Sequence, residues 1–303
     1  MVEQGHGDEK SLQPGMSVYR RVGHKGADAI TQGNTIESFE AAVECGVDMI
    51  EIDVLRNREG RLIIAHDPSD ALSRRPLDLH QALDAFLDPP LDQVEIDCDL
   101  KLPGREAELA GALAGLGLVD RAMVSTMEVS SLKKLRLLEP DLRLGWTYPK
   151  TRRDWTSYGW AVPGVVAGIA AMRRRFPKTL AQKAPELEVD AVWAYHQIVT
   201  PKLVEAAEEA GIELITWTVD ELDRMVELLQ MGVHGVCSND PRLFEQAEKI
   251  VAGDPAEDEK PSKREAKKAE KEAKKLEKEE AKAAKKDAKA DAKADEKAAK
   301  AES

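Results

Sequence analysis

Between residues 17 and 250 the chain alternates short apolar runs with stretches of helical periodicity, which limits it to folds built from βα units. Strands are expected at 18–23, 48–55, 94–101, 122–126, 142–147, 191–195, 213–219 and 235–238. A further run at 62–66 returns as a hairpin after the turn Arg58-Glu59-Gly60. Helical patterns separate most of these strands, among them 202–210 and 221–231. The first helix is expected to start from Asn34 as cap with Glu37 as its capping-box partner. It carries Ile36, Phe39 and Val43 on one face and closes at Gly46. Eight strands alternating with helices over about 230 residues predict the α/β class and a (β/α)8 TIM barrel. A doubly wound open sheet is the alternative, but no G-x-G-x-x-G follows the first strand.

Charge divides the chain. Residues 251–303 hold 16 Lys/Arg and 15 Asp/Glu, which leaves 28 basic and 41 acidic residues in 1–250. An acidic body repels polyphosphate, so nucleic acid is excluded as its partner, while divalent cations are suited to it. Beyond residue 260 the one large apolar side chain is Leu276. This Lys/Ala/Glu-rich tail cannot bury a core and is expected to be helical or disordered. Residues 1–16 are polar, lack a signal-peptide apolar run, and are expected to be a flexible leader. The barrel domain is expected over 17–250 and the low-complexity tail over 251–303. Cys45, Cys98 and Cys237 make no disulfide framework or zinc spacing, which together with the missing signal run indicates a cytoplasmic protein. The longest apolar stretch, 159–172, contains Pro163 and is shorter than the roughly 20 residues a bilayer needs.

Strands buried on both faces read as continuous apolar runs. Two strands here do not. In the second, Ile50, Ile52 and Val54 share one face while Glu51 and Asp53 share the other. In the fourth run, Ile96, Cys98 and Leu100 oppose Glu95, Asp97, Asp99 and Lys101. Carboxylates pointing into a barrel cost several kcal/mol each unless compensated. One divalent cation, Mg²⁺ or Ca²⁺, compensates several at once. Pairing with Lys101 or with buried arginines is the structural alternative.

Of six histidines, His24 and His66 follow directly from strand ends. Active sites of TIM barrels lie at those C-terminal ends, so the two imidazoles suit an acid/base pair near neutral pH.

The run Gly23-His24-Lys25-Gly26, then Asn34-Thr35, Glu51-x-Asp53 and His66-Asp67, resembles the glycerophosphodiester phosphodiesterase family, whose pattern is His-Arg-Gly, Glu-Asn-Thr, Glu-x-Asp and His-Asp. Asp99-x-Lys101 sits at the family's Glu-x-Lys. Trp217-Thr218-Val219-Asp220 looks like its Trp-Thr-Val-Asn, and 232–241 resembles its closing Gly-Val-Asp-Gly-Ile-x-Thr-Asp-x-Pro. The chain departs from the pattern at Lys25 for Arg, Gly33 for Glu, Asp99 for Glu and Asn239 for Asp. The segment between His66 and Val94 is short where many relatives carry a helical insertion, implying a more open mouth.

The resemblance implies a metal-dependent phosphodiesterase acting on small glycerophosphodiesters, which yields glycerol 3-phosphate and an alcohol. Glu51, Asp53 and Asp99 would hold the cation. His24 and His66 would exchange protons in an order left open. Lys25 and Lys101 would bind the phosphoryl oxygens and Trp217 would wall the substrate. No obligate protein partner is implied. A lysophospholipase D-like reaction is the second reading. It draws on 151–178, where Trp155, Tyr158, Trp160 and flanking arginines suit a peripheral membrane contact, against an ordinary barrel-covering helix. A binding module without activity is the third; the presence of all five candidate groups counts against it.

Overall fold

The computed structural model describes residues 19–150 and 162–253. The expected leader, the aromatic cluster Trp155, Tyr158 and Trp160, and the tail from residue 254 lie outside the described residues.

The strands are β1 Arg20–His24, β2 Met49–Arg56, β3 Leu62–Ile64, β4 Glu95–Leu100, β5 Ala122–Thr126, β6 Arg143–Tyr148, β7 Ala191–Tyr195, β8 Glu213–Trp217 and β9 Gly235–Ser238. All but β3 pair in parallel, and β1 bonds both β2 and β9, so eight strands close into a barrel. This is the expected TIM barrel; the open sheet is excluded by closure. β3 pairs antiparallel with the outer end of β2 as the hairpin return, with Val54 opposite Ile64.

The helices are α1 Ile36–Glu44, α2 Pro68–Ser73, α3 Leu79–Ala85, α4 Glu106–Gly115, α5 Val129–Leu138, α6 Val162–Leu187, α7 Pro201–Ala210, α8 Leu222–Gln230 and α9 Leu243–Val251. The short segment after His66 thus folds as α2 and α3. No helix among the described residues is long and apolar enough to cross a membrane. The cap of α1 differs from expectation. Thr35 is the N-cap, sharing a capping box with Ser38, because Asn34 has a left-handed backbone (φ 60°) and its side chain is committed elsewhere.

Two apolar clusters follow from strand alternation. Ile50, Ile52, Val54, Ile96, Cys98 and Leu100 face outward, within the larger cluster that joins the barrel to its helices. Val22, Met49, Met123, Ala191, Trp193, Ile215 and Cys237 form a separate cluster inside the barrel. The inner face of the N-terminal end is polar. Arg20 pairs with Glu95 and, at 2.9 Å, with Glu213, while Arg143 reaches Glu95 at 2.6 Å. Removing the shared carboxylate strands Arg143, so Glu95→Ala is expected to cost about 1–3 kcal/mol by urea unfolding. The partners' partial exposure keeps this below the cost of breaking a fully buried pair.

Candidate active site

Strand register sorts the inward acids into layers. β2 and β4 align Met49 with Glu95, Glu51 with Asp97 and Asp53 with Asp99. Glu95 belongs to the floor just described. Asp97 lies in the middle, fully buried, accepting from Ser125 Oγ at 2.7 Å with its other oxygen unpartnered. Burial pushes its carboxyl well above the ordinary range, in favour of the protonated form. The upper layer brings together Glu51, Asp53 and Asp99, each offering one oxygen within 4.8 Å of the others. Oxygens bound to one ion at about 2.0–2.6 Å can be no farther apart than about 5 Å, so this all-carboxylate set fits one hard divalent cation.

The loop after β1 is built around these acids. Gly23 and Gly26 are required by close approach: a Cβ on Gly23 would meet the Gly26 carbonyl oxygen at 2.4 Å, and one on Gly26 (φ +85°) would meet the Ser38 carbonyl oxygen at 2.5 Å. Between them the Lys25 backbone N–H donates to Glu51 Oε2 at 2.9 Å. Asn34, expected as a helix cap, instead clamps Asp53. Its Nδ2 donates to Asp53 Oδ2 at 2.7 Å, and its Oδ1 accepts from the Asp53 N–H at 3.1 Å. At Gly33, whose N–H donates to Asp28 Oδ1 at 2.8 Å, a Cβ would lie 2.5 Å from that oxygen, so a larger residue needs the Asp28 side chain to shift.

His24 and His66 lie at the same end of the barrel as the acids. His24 Nε2 is 3.9 Å from Glu51 Oε2. Its Nδ1 is 2.6 Å from Asn239 Oδ1, and Asn239 Nδ2 donates to Asp220 Oδ2 at 2.7 Å. Because a carboxylate only accepts, Asp220 turns the amide so that its oxygen faces the imidazole. His24 must therefore carry its proton on Nδ1 and present a bare Nε2 toward the acids. Burial pushes His24 down to about 4, so it is neutral at pH 7. His66 is half-exposed, with Nδ1 3.2 Å from Asp67 Oδ2. Its backbone N–H donates to Asp70 at 3.0 Å, and Ala65 next to it donates to the Asp53 carbonyl at 3.0 Å.

The three expected substrate residues divide. Lys101 forms ion pairs with both Asp53 and Asp99. Lys25 turns to Asp28 at 2.5 Å. Trp217 stands on β8, across the barrel from the acids, donates to the Trp193 carbonyl at 3.1 Å, and meets Tyr195 with ring centroids 5.6 Å apart. Tyr195, Asn239 and Asp220 were not expected as site residues. The resemblances at 217–220 and 232–241 contain Asp220 and Asn239 without giving either a role, and nothing in the sequence singled out Tyr195.

The acids titrate in opposite directions. Burial pushes Glu51 well above the ordinary range, with Asp53 adding repulsion. Burial acts the same way on Asp53, but Lys101 and the two imidazoles outweigh it and hold Asp53 well below that range. Burial also raises Asp99, against the pull of Lys101.

A closed parallel barrel with acids and imidazoles gathered at the C-terminal strand ends has its candidate site where TIM-barrel enzymes carry theirs. Residues 24–78 and 91–243 match the model of the glycerophosphoryl diester phosphodiesterase family, and the chain belongs to that family. A glycerophosphodiester phosphodiesterase of Caldanaerobacter subterraneus is 24% identical over 255 residues, covering 74% of this chain and 95% of that protein. The crystal structure of a glycerophosphodiester phosphodiesterase from Parabacteroides distasonis is similar at TM-score 0.60 and 18% identity, covering 79% of this chain and 99% of that one. An Oleispira antarctica phosphodiesterase, crystallised with the product sn-glycerol-3-phosphate, matches at TM-score 0.55 and 16% identity over 76% of this chain and 96% of that one.

The raised Glu51 carboxyl carries a pH signature. A carboxyl with a raised folded-state pKa costs stability as pH climbs from its unfolded value, about 4.3, toward the folded one. Asp53 has the opposite sign: its contribution is complete above its unfolded value and lost in acid. A cation bound by ionised Glu51 removes the Glu51 cost. Mg²⁺ or Ca²⁺ should therefore raise the melting temperature over that in EDTA more at about pH 8 than at about pH 5, as read by calorimetry. Glu51→Gln should flatten that difference.

Proposed function

We propose that the chain hydrolyses glycerophosphodiesters to glycerol 3-phosphate and an alcohol, with one divalent cation, Mg²⁺ or Ca²⁺, held by Glu51, Asp53 and Asp99. The observation that carries this reading is the convergence of three carboxylate oxygens within 4.8 Å, with a neutral imidazole beside them. A divalent cation held by these three residues would supply charge neutralisation at the phosphoryl oxygens.

His24 Nε2, bare and facing the acids, takes the proton from the attacking hydroxyl, either that of water or that of the substrate's own adjacent alcohol, in which case the cyclic phosphate formed is opened by water in a second step. The P–O bond to the leaving alcohol breaks as the new one forms. His66, half-exposed at the mouth, gives a proton to the departing oxygen. Asn239 and Asp220 keep His24 in the tautomer that can accept. Lys101 lies between Asp53 and Asp99, within reach of phosphoryl oxygens brought to the cation. Lys25 adds positive charge beside Glu51. Trp217, with Tyr195, walls the side opposite the acids.

Glycerophosphodiesters are favoured because the family and the Oleispira product complex carry that chemistry. The lysophospholipid reading leans on aromatics at 155–160, which fall outside the described residues.

Assays of glycerophosphocholine hydrolysis test the roles. His24→Ala and His66→Ala should each lower kcat by roughly 10²- to 10⁴-fold; near-full activity of either removes that residue from the mechanism. EDTA should abolish turnover, and added Mg²⁺ or Ca²⁺ should restore it. On the acid side activity should fall as Glu51 takes up a proton, while His24 is still neutral. Raising the cation concentration should therefore move the acid limb to lower pH. A limb insensitive to cation would assign it to an imidazole instead.

A further inference from the structure

The length of α6 sets it apart. It has 26 residues, where α1, α4, α5, α7, α8 and α9 have 9 or 10. Its second half behaves like those neighbours: Phe176, Leu180, Ala184 and Leu187 are buried at helical spacing against the barrel. None of residues 164–175 is buried. A helix that follows a parallel strand begins at the C-terminal rim and runs back down the barrel. The rim is marked on α6 by Arg173, whose Nε donates at 2.7 Å to the carbonyl of Gln197, in the turn directly after β7. Ile169 and Met172, half-buried, still pack against the apolar cluster of the barrel, so the turns before Ile169 extend about 10 Å farther, on the side where the candidate active site opens.

This extension is apolar at its end and basic at its base. Val166, Ala167 and Ala170 are exposed, and Arg174, Arg175 and Lys178 follow on the exposed surface. Residues 155–185 contain no Asp or Glu, although the body is strongly acidic. Pro177, which has no N–H to give the Arg173 carbonyl, stands where the extension meets the packed half. Other apolar side chains are exposed on the segments that follow β1, β3 and β5: Ile30, Leu72 (77% exposed) near the end of α2, and Val129 at the start of α5.

We infer that the rim end of α6 docks the barrel mouth onto an anionic phospholipid surface. Val166 and its apolar neighbours enter the boundary between headgroups and acyl chains, and Arg174, Arg175 and Lys178 meet the headgroup phosphates. The arginines lie on the barrel side of the apolar turns, the order that lets long basic side chains reach headgroups while the helix tip is immersed. Phosphodiesters released from lipids would then arise next to the open end of the barrel. The docking needs no turnover, so vesicle binding and hydrolysis succeed or fail independently.

The test is co-sedimentation of the full chain with vesicles of phosphatidylcholine alone and of phosphatidylcholine mixed with phosphatidylglycerol. The protein should sediment with the mixed vesicles, less so as salt is raised. With about fivefold in partitioning per basic residue, Arg174→Gln/Arg175→Gln together should lower binding about 25-fold. Val166→Asp should lower it through the apolar tip. Hydrolysis of soluble glycerophosphocholine should be unchanged in both variants, which also shows that they fold. No sedimentation overturns the inference. So does binding that survives both variants, as it would if the Lys-rich segment 251–303 carried it. Self-association in the ultracentrifuge that Val166→Asp dissolves, without vesicle binding, would assign the same face to a second copy of the chain.

Discussion

The upper half of this barrel depends on placing several carboxylates where water cannot solvate them. Glu51, Asp53 and Asp97 are buried on two adjacent strands, and Asp99 stands beside Asp53 across the register. Like charges this close cannot all be ionised without a compensating cation. The chain meets the constraint in a different way at each level. At the floor Glu95 is matched by Arg20 and Arg143. In the middle burial favours the protonated form of Asp97, which accepts from Ser125. At the top Lys101 supplies one positive charge to Asp53 and Asp99, and Glu51 is left facing the neutral Nε2 of His24. Lys101 is the ammonium that ion-pairs with these acids and Lys25 is paired with Asp28, which leaves the three acids a charge deficit that a divalent ion would close.

That deficit explains the local architecture. Asp53 is the most constrained of the three: wholly buried, clamped at both its backbone and its side chain by Asn34. Holding Asn34 in place needs its left-handed backbone, and hence the adjoining cap at Thr35. Glu51 is held by the Lys25 N–H, which needs the tight glycine-flanked turn. The sequence motif of this region is thus a set of backbone devices for aiming two carboxylates as much as a set of reactive groups.

The fold was legible because each barrel strand carries its own apolar run with punctuation between, and period two told inward from outward faces without any tertiary knowledge. The acids were legible for the same reason. The role of Asn34 was hidden, because an Asn three residues before a Glu at the start of a helix reads as a cap. Only a contact across 19 positions shows otherwise. Tyr195 was invisible because an aromatic at the end of an apolar strand reads as core; its place beside Trp217 comes from β7 and β8 lying next to each other. Identical carboxylates on one strand face could not be told apart by pattern. Whether an inward acid becomes a floor ion pair, a neutral acid or a candidate ligand depends on its height in the barrel, and height is set by register with the next strand.

Two departures from the family pattern turn out to be one. Asp220 stands where the pattern has Asn at the end of its Trp-Thr-Val-Asn strand, and Asn239 stands where the closing motif has Asp. The two side chains touch, with Asn239 donating to Asp220 through both its backbone N–H at 2.8 Å and its side-chain amide at 2.7 Å. The amide and the carboxylate of the pattern are interchanged here; they touch, and it is the amide that faces His24. A carboxylate against Nδ1 would favour the imidazolium form; an amide oxygen there still fixes the tautomer but supplies no full negative charge. The charge sits one residue farther away, in the hydrogen bond that orients the amide. The imidazole is thereby held in place by an acid without being paired to one, consistent with a neutral His24 next to acids that would otherwise draw it toward the charged state.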